Sequence, residues 1–339
     1  MKVGIIGAGL QAKRRAPAIG SVEGATLAAV ASLHRPHAEA LAEPYDARVH
    51  DSWQELVERN DLDVVFVCTP PSLHREMSMA AMKAGKHVLC EKPLTRTLEE
   101  AEAMVQTARE TGQILKCGFN HRHHPAIWEA HRRLKAGDLG EPLFARCRYG
   151  ICGRPGYEKE WRADPEQAAG GQFIEQGTHA MDLFRWFLGD LTEVSCMTSL
   201  HYFKEQTLDD GGMALFRAAN GATASLHTTL IQWKNLFSFE VFGAEGYIEA
   251  EGLGGGYGTE TLSIGKRNFT APFQDHVIQY RGGDRSWAAE WQEMAEAIRE
   301  NRAPVGDGID GLEAMRVALT AYEAERKQQT LPILSGGAG

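Results

Sequence analysis

Lys2-Val3-Gly4-Ile5-Ile6-Gly7-Ala8-Gly9-Leu10-Gln11-Ala12 opens the chain and decides its fold. A short apolar run ends in a glycine turn, and a helical pattern begins at Leu10. Gly7 permits the tight turn, Gly9 lets backbone approach a pyrophosphate, and small Ala12 allows a helix to pack close to a strand. Working outward, apolar runs at 3–6, 27–31, 64–68, 87–90 and 114–118 alternate with helical patterns at 10–19, 36–43, 53–59, 72–84 and 98–111. Strands that are apolar throughout, each followed by a helix, predict a parallel sheet covered on both faces. Ser52 is placed to cap one helix and Thr97 with Glu100 another. Gly85 and Gly112 fall where helices end in a left-handed residue.

After residue 120 the rhythm changes. Helical patterns at 125–136 and 173–188 are followed by extended segments at 193–203, 212–218, 223–231, 237–242 and 247–250, with another at 143–152 between the two helices. Several alternate apolar and polar residues, as half-exposed antiparallel strands do. Helices near 287–300 and 311–327 close the chain, and the tail Ser335–Gly339 is expected to fray. The expected fold is therefore an α/β Rossmann domain over 1–120, then an α+β domain over 121–339 with a large, mostly antiparallel open sheet. An open sheet face needs a cover, so a homodimer or homotetramer through that sheet is expected.

The chain has 339 residues and a net charge of -9. It has no long basic run, which argues against nucleic acid. Its six cysteines include no C-x-x-C pair, so a reduced, cytoplasmic compartment is expected. The strand pattern starts at once, leaving no room for a signal peptide, and no apolar run is long enough to span a membrane.

The chemistry concentrates in two places. Cys90-Glu91-Lys92-Pro93 follows the apolar run 87–90, so Lys92 leaves the end of a parallel strand beside the glycine turn. An amine there can hold a sugar hydroxyl while hydride leaves the carbon. In Gly170-Gly171-Gln172-Phe173-Ile174-Glu175-Gln176-Gly177-Thr178-His179-Ala180-Met181-Asp182, residues Glu175, His179 and Asp182 share one helix face. A histidine can take the hydroxyl proton, and a carboxylate one turn away can orient it. Asp182 suits that role or a structural one. Asn120-His121-Arg122-His123-His124 suggests a metal, but adjacent residues cannot all converge on one ion, and none is expected. Trp161 and Arg162 suit a sugar ring and its hydroxyls, or simple loop packing.

The cofactor candidates are Gly7, Gly9, Leu10, Gln11, Ser32, Arg35, Thr69, Pro70, His74, Glu91 and Lys92. Ser32 occupies the position where a carboxylate would bond the ribose of NAD. With Arg35 nearby, this puts NADP ahead of NAD as the nicotinamide cofactor.

These motifs resemble the glucose-fructose oxidoreductase / inositol dehydrogenase (Gfo/Idh/MocA) family. The resemblance rests on GAGLQA, VVFVCTPPSLH, AGKHVLCEKPL, GFNHRHHP, LGEP, WRADPEQAAGGQFIEQGTHAMDLFRWFLGD and a last helix opening with Asp310-Gly311. It implies NAD(P)-linked oxidation or reduction at a carbinol carbon of sugars, cyclitols and related compounds. It also implies Lys92 between nicotinamide and substrate, a cis bond before Pro93, and His179 as catalytic histidine. Glu175 stands where the family usually has aspartate. Asn120 and Arg122 are implied near the active cleft, giving a substrate set of Lys92, Asn120, Arg122, Trp161, Arg162, Glu175 and His179. Some relatives are NAD-dependent glycoside hydrolases that act by transient oxidation and elimination. A cofactor-sensing regulatory protein is the third function class, and the presence of Lys92 and His179 weighs against it.

Overall fold

The computed structural model describes residues 1–334, so the expectation for the tail lies outside the described residues. The chain divides into two compact units. The first comprises residues 1–120, 166–169 and 287–315; the second comprises 121–165, 170–286 and the remainder. The chain first passes from one unit to the other after Asn120, and two later stretches, 166–169 and 287–315, return to the first.

In the first unit the elements alternate as β1 (Lys2–Ile6), α1 (Leu10–Ile19), β2 (Thr26–Ala31), α2 (Arg35–Ala42), β3 (Arg48–His50), α3 (Trp53–Val57), β4 (Val64–Val67), α4 (His74–Lys83), β5 (His87–Cys90), α5 (Leu98–Thr111) and β6 (Leu115–Cys117). The strands form a parallel sheet in the order β3-β2-β1-β4-β5-β6. The order reverses at β1, and ligands of such sheets bind at the carboxyl ends beside that point. All four residues of β4 are buried, because helices cover both sheet faces.

The expected caps form. Ser52 accepts from Glu55 N–H at 3.2 Å and Thr97 from Glu100 N–H at 3.3 Å. Glu100 returns its carboxylate to Arg96 N–H rather than to Thr97.

The helix Ser286–Glu300 belongs mostly to this unit. Its Trp291, Met294 and Ala295 join the core built by Val3, Ile5, Val30 and Phe66. Trp291 lies edge-on to Phe66 at 5.2 Å and donates its indole N–H to Ile19 O at 3.1 Å. A fully buried indole needs such an acceptor.

The second unit holds α6 (Pro125–Lys135), β7 (Pro142–Cys152), α7 (Gln172–Leu188), β8 (Leu191–Ser199), β9 (Gly211–Ala218), β10 (Thr223–Thr229), β11 (Ile231–Gly243), β12 (Gly246–Glu251), β13 (Glu260–Lys266) and β14 (Asp275–Tyr280). The helix Ser286–Glu300 is α8, Gly308–Lys327 is α9, and Leu331–Pro332 is β15. The described strands form one sheet in the order β14-β13-β12-β11-β7-β10-β9-β8-β15. Pairing is antiparallel except between β10 and β7. α7 packs on one face: Gly177 lies against Leu226 and Thr228 of β10. On β8 and β9 the outward positions combine the ion pair Glu193–Arg217 with exposed apolar residues. Met197 is 79% exposed and stands opposite Met213, and Leu215 is 64% exposed.

Candidate active site

The first unit's candidate residues lie at the carboxyl ends of the strands. Gly7 has φ +92, and a Cβ there would lie 2.7 Å from Cys68 O. Only glycine fits that turn. A Cβ at Gly9 would meet nothing within 4 Å, so the surface in front of it is open. Gly9 is also the N-cap of α1, which has no capping side chain and no acidic residue in its first turn. Uncapped N–H groups, a helix dipole and open space fit a pyrophosphate, so the chain's own residues fit a dinucleotide. Leu10 is exposed beside this turn, and Gln11 is half-buried.

Ser32 Oγ accepts from His34 N–H at 3.3 Å. Arg35, more than half exposed, pairs with Glu39 at 2.8 Å and with Asp51. The bond to Glu39 and the charge of Asp51 raise its pKa. Sequence reasoning did not anticipate these carboxylate partners, which lie four and sixteen residues further along the chain.

His74 departs from the cofactor role expected for it. Its side chain is fully buried. One ring nitrogen faces Thr69 O at 2.8 Å; the other faces Pro93 O at 3.1 Å and Leu94 O at 3.2 Å. The ring therefore ties the Thr69-Pro70 loop to the Lys92-Pro93 loop and is closed to a ligand. Burial lowers its pKa, although the carbonyls and the charge of Glu91 pull the other way. The Lys92-Pro93 bond is cis, and Lys92 is 8% exposed.

Glu91 likewise points inward. Its carboxylate takes Arg15 Nε–H at 2.6 Å, and Arg15 Nη1–H reaches Glu290 of α8 at 2.7 Å. All three side chains are buried. Burial opposes the charge on Arg15, but the two carboxylates outweigh it and raise its pKa; burial raises that of Glu290. The residue before Lys92 is thus anchored on two helices. Arg15 was missed in the sequence. Its signal was a charge in the inward stripe Ala12, Arg15, Ala16, Ile19 of α1.

In the second unit, the Gly170-Gly171 pair sets the start of α7. A Cβ on Gly171 would lie 2.4 Å from Asp209 O. The Asp209 loop closes on the helix end: its carboxylate accepts from Phe173 N–H at 2.7 Å and from Tyr322 O–H at 2.7 Å, and Tyr322 Oη accepts from Gly171 N–H at 3.2 Å. Burial pushes the Asp209 carboxyl up to about 6.

Along α7, Glu175 takes Arg162 Nε–H at 3.3 Å. Arg162 lies over the Trp161 ring at 4.3 Å. Trp161, Arg162 and Glu175 thus form one chain of contacts. Asp182 is buried and receives two N–H groups of Arg122, at 2.7 and 2.5 Å. Arg122 is 3% exposed and lies over Trp186 at 5.1 Å. The guanidinium expected on substrate is thus paired with Asp182 and lies over an indole.

His179 is 4% exposed, and its ring stacks on His121 at 3.7 Å and 22°. His121 was seen in the sequence only as part of a histidine run. Asn120 is buried at 4%. Among the described residues, no group of three or more His, Cys, Asp or Glu side chains is arranged to hold a metal ion. None of the described helices is long and apolar enough to cross a membrane.

Residues 1–119 match a family model described as oxidoreductase family, NAD-binding Rossmann fold. Residues 127–249 match the GFO/IDH/MocA C-terminal domain. The chain is 32% identical over 292 residues to a 1,5-anhydro-D-fructose reductase of Ensifer adhaerens, with 84% of each chain covered. It is 29% identical over 319 residues to a scyllo-inositol 2-dehydrogenase (NAD(+)) of Bacillus subtilis, covering 90% of this chain and 88% of that one. A solved levoglucosan dehydrogenase in complex with NADH and levoglucosan has the same fold, with a TM-score of 0.90 over 98% of this chain and 99% of that one, at 23% identity.

Proposed function

The chain belongs to the Gfo/Idh/MocA family of oxidoreductases, and from that premise we propose how its residues divide the work. It is a nicotinamide-dependent oxidoreductase that transfers hydride between the cofactor and a carbinol or keto carbon of a sugar-like compound. The open glycine turn at the head of α1 supports the cofactor's place, with Gly7, Gly9, Leu10 and Gln11 at the pyrophosphate and Thr69 and Pro70 along its edge. Bound there, nicotinamide supplies the two-electron acceptor or donor. Lys92 donates a hydrogen bond to the reacting oxygen and steadies its developing negative charge. His179 takes the hydroxyl proton in oxidation and returns it in reduction. Glu175, bonded to Arg162, orients the polar wall of the substrate site, and Trp161 offers a face to the sugar ring. The observation that carries this division is the rigid anchoring of the Lys92 loop by His74 and by the Arg15–Glu91 pair.

NADP is the preferred cofactor in this proposal, with Ser32 and Arg35 receiving the 2′-phosphate. Arg35 then exchanges Glu39 and Asp51 for phosphate, an exchange made easy by the exposure of these pairs. The exposed apolar residues Met197, Met213 and Leu215 on the outward face of β8 and β9 support assembly into a homodimer or homotetramer. Six free thiols support a reducing, cytoplasmic setting. No observation favours glycoside cleavage or a sensor role. A panel of sugars, inositols and sugar derivatives, read by NAD(P)H absorbance with both cofactors, tests the proposal. Turnover of at least one member is expected, and it should collapse in Lys92→Ala while cofactor binding persists. Near-normal turnover in that variant removes Lys92 from its role.

A further inference from the structure

We propose that His121 is a positioning residue for His179: its stacked ring fixes the plane of that imidazole and holds it in the uncharged, proton-accepting form. This rests on His179 as proton acceptor and adds the group that prepares it. The two rings stack at 3.7 Å and 22°. His121 is itself wedged by Tyr149 at 5.2 Å, Phe237 at 5.6 Å and the edge of His124 at 5.7 Å. It is 5% exposed, so these walls confine it to one orientation.

The support continues outward. His124 Nδ1 lies 3.1 Å from the Glu260 carboxylate. Glu260 also accepts from Ala126 N–H at 2.8 Å and Gly254 N–H at 3.2 Å. Those bonds tie the stack to β13 and to the start of α6. His179 is therefore oriented by aromatic contacts on a braced ring.

Two imidazoles in van der Waals contact share one proton readily and resist a second, because like charges at this distance repel. They titrate as a pair. The surrounding charges are matched. On α7, Glu175 faces Arg162 and Asp182 faces Arg122. Beyond His121, Glu260 and Asp284 both face His124, the latter at 3.9 Å. Tyr149 and Tyr257 add two hydroxyls, 3.5 Å from one another. Each of these carboxylates has a cation or imidazole opposite it, and His121 is the imidazole stacked on His179.

The test is an NMR titration of full-length protein carrying isotope-labelled histidine, with the His179 signal assigned by its loss in His179→Gln. In His121→Phe the ring plane is kept and the competing proton site is gone, and an aromatic face further favours a cation. The His179 midpoint should move up by about one pH unit. His121→Asn removes the ring altogether and should move it in the same direction, which keeps the test available if the Phe variant misfolds. An unchanged or lowered midpoint in a folded variant overturns the proposal. With a turned-over sugar in hand, the acidic limb of kcat/KM should move upward in pH by the same amount; a limb that stays in place also overturns it. Absence of any dehydrogenase activity in wild type would defeat the functional reading while leaving the titration readable.

Discussion

Replacing Arg15 with methionine is the sharpest structural perturbation available in the first unit. Arg15 holds Glu91 at 2.6 Å and Glu290 at 2.7 Å, and the three side chains are 2%, 5% and 0% exposed. Without the guanidinium, two carboxylates remain in a site with little water. Neutralising one by protonation at pH 7, from its ordinary value of 4.5, takes about 2.5 pH units at about 1.4 kcal/mol each, or roughly 3–4 kcal/mol. Removing one partner of a buried ion pair typically costs about 3–5 kcal/mol, so the two routes agree. Arg15→Met should therefore lose about 3–5 kcal/mol at pH 7. The sign of the pH dependence follows. A carboxyl whose folded pKa is raised loses stability as pH climbs from its unfolded value towards the folded one. At pH 5 the same protonation takes only about 0.7 kcal/mol, so the deficit should shrink there. Arg15→Met/Glu91→Gln/Glu290→Gln, which removes all three of these charges, should recover most of the loss. Urea unfolding followed by tryptophan fluorescence measures this, since Trp287 and Trp291 lie in this unit. A deficit below about 1 kcal/mol at pH 7, or one that does not change between about pH 5 and 7, refutes the reasoning.

Other outcomes are expected from single sites. Arg35→Asp should weaken NADP binding by about tenfold or more while leaving NAD affinity nearly unchanged; an unaltered ratio in calorimetric titration would remove Arg35 from the phosphate site. Asp209, pushed up to about 6 by burial, loses stability as pH rises from about 4 to 6. Relative to Asp209→Asn, wild type should therefore lose about 3 kcal/mol across that window, and a flat difference would contradict the buried carboxylate. Met213→Asp places a charge on the exposed apolar row of β8 and β9. Light scattering should show a smaller particle than wild type, and a wild type already monomeric would sink the assembly proposal.

The sequence carried the architecture of the first unit because its strands are buried on both faces. Val64–Val67 and His87–Cys90 could only be central strands, and the helices at 10–19 and 98–111 begin and end where their signals stand. β3 escaped notice because three residues, Arg48–His50, carry no pattern. β14 escaped because it is an edge strand of mostly exposed residues. The return of α8 to the first unit was also hidden: amphipathicity names a buried face and says nothing of what covers it. At the candidate site, motif spacing singled out Lys92, Glu175 and His179, whose roles are part of the proposal. It did not show that His74 meets backbone carbonyls and Arg122 a buried carboxylate, because a histidine or arginine beside a functional motif looks the same whether it meets a ligand or such a group. The partners that decide the matter, Pro93 O and Asp182, lie 19 and 60 residues away along the chain.

Deuterium tracing tests the central claim most directly. A substrate found in the panel, deuterated at its carbinol carbon, is incubated with enzyme and oxidised cofactor, and the reduced nicotinamide is isolated. Deuterium should appear on the nicotinamide ring in step with keto product, and both should vanish together in Lys92→Ala and His179→Gln. Product formed with no label on the cofactor, or label transfer that survives loss of both side chains, would contradict it.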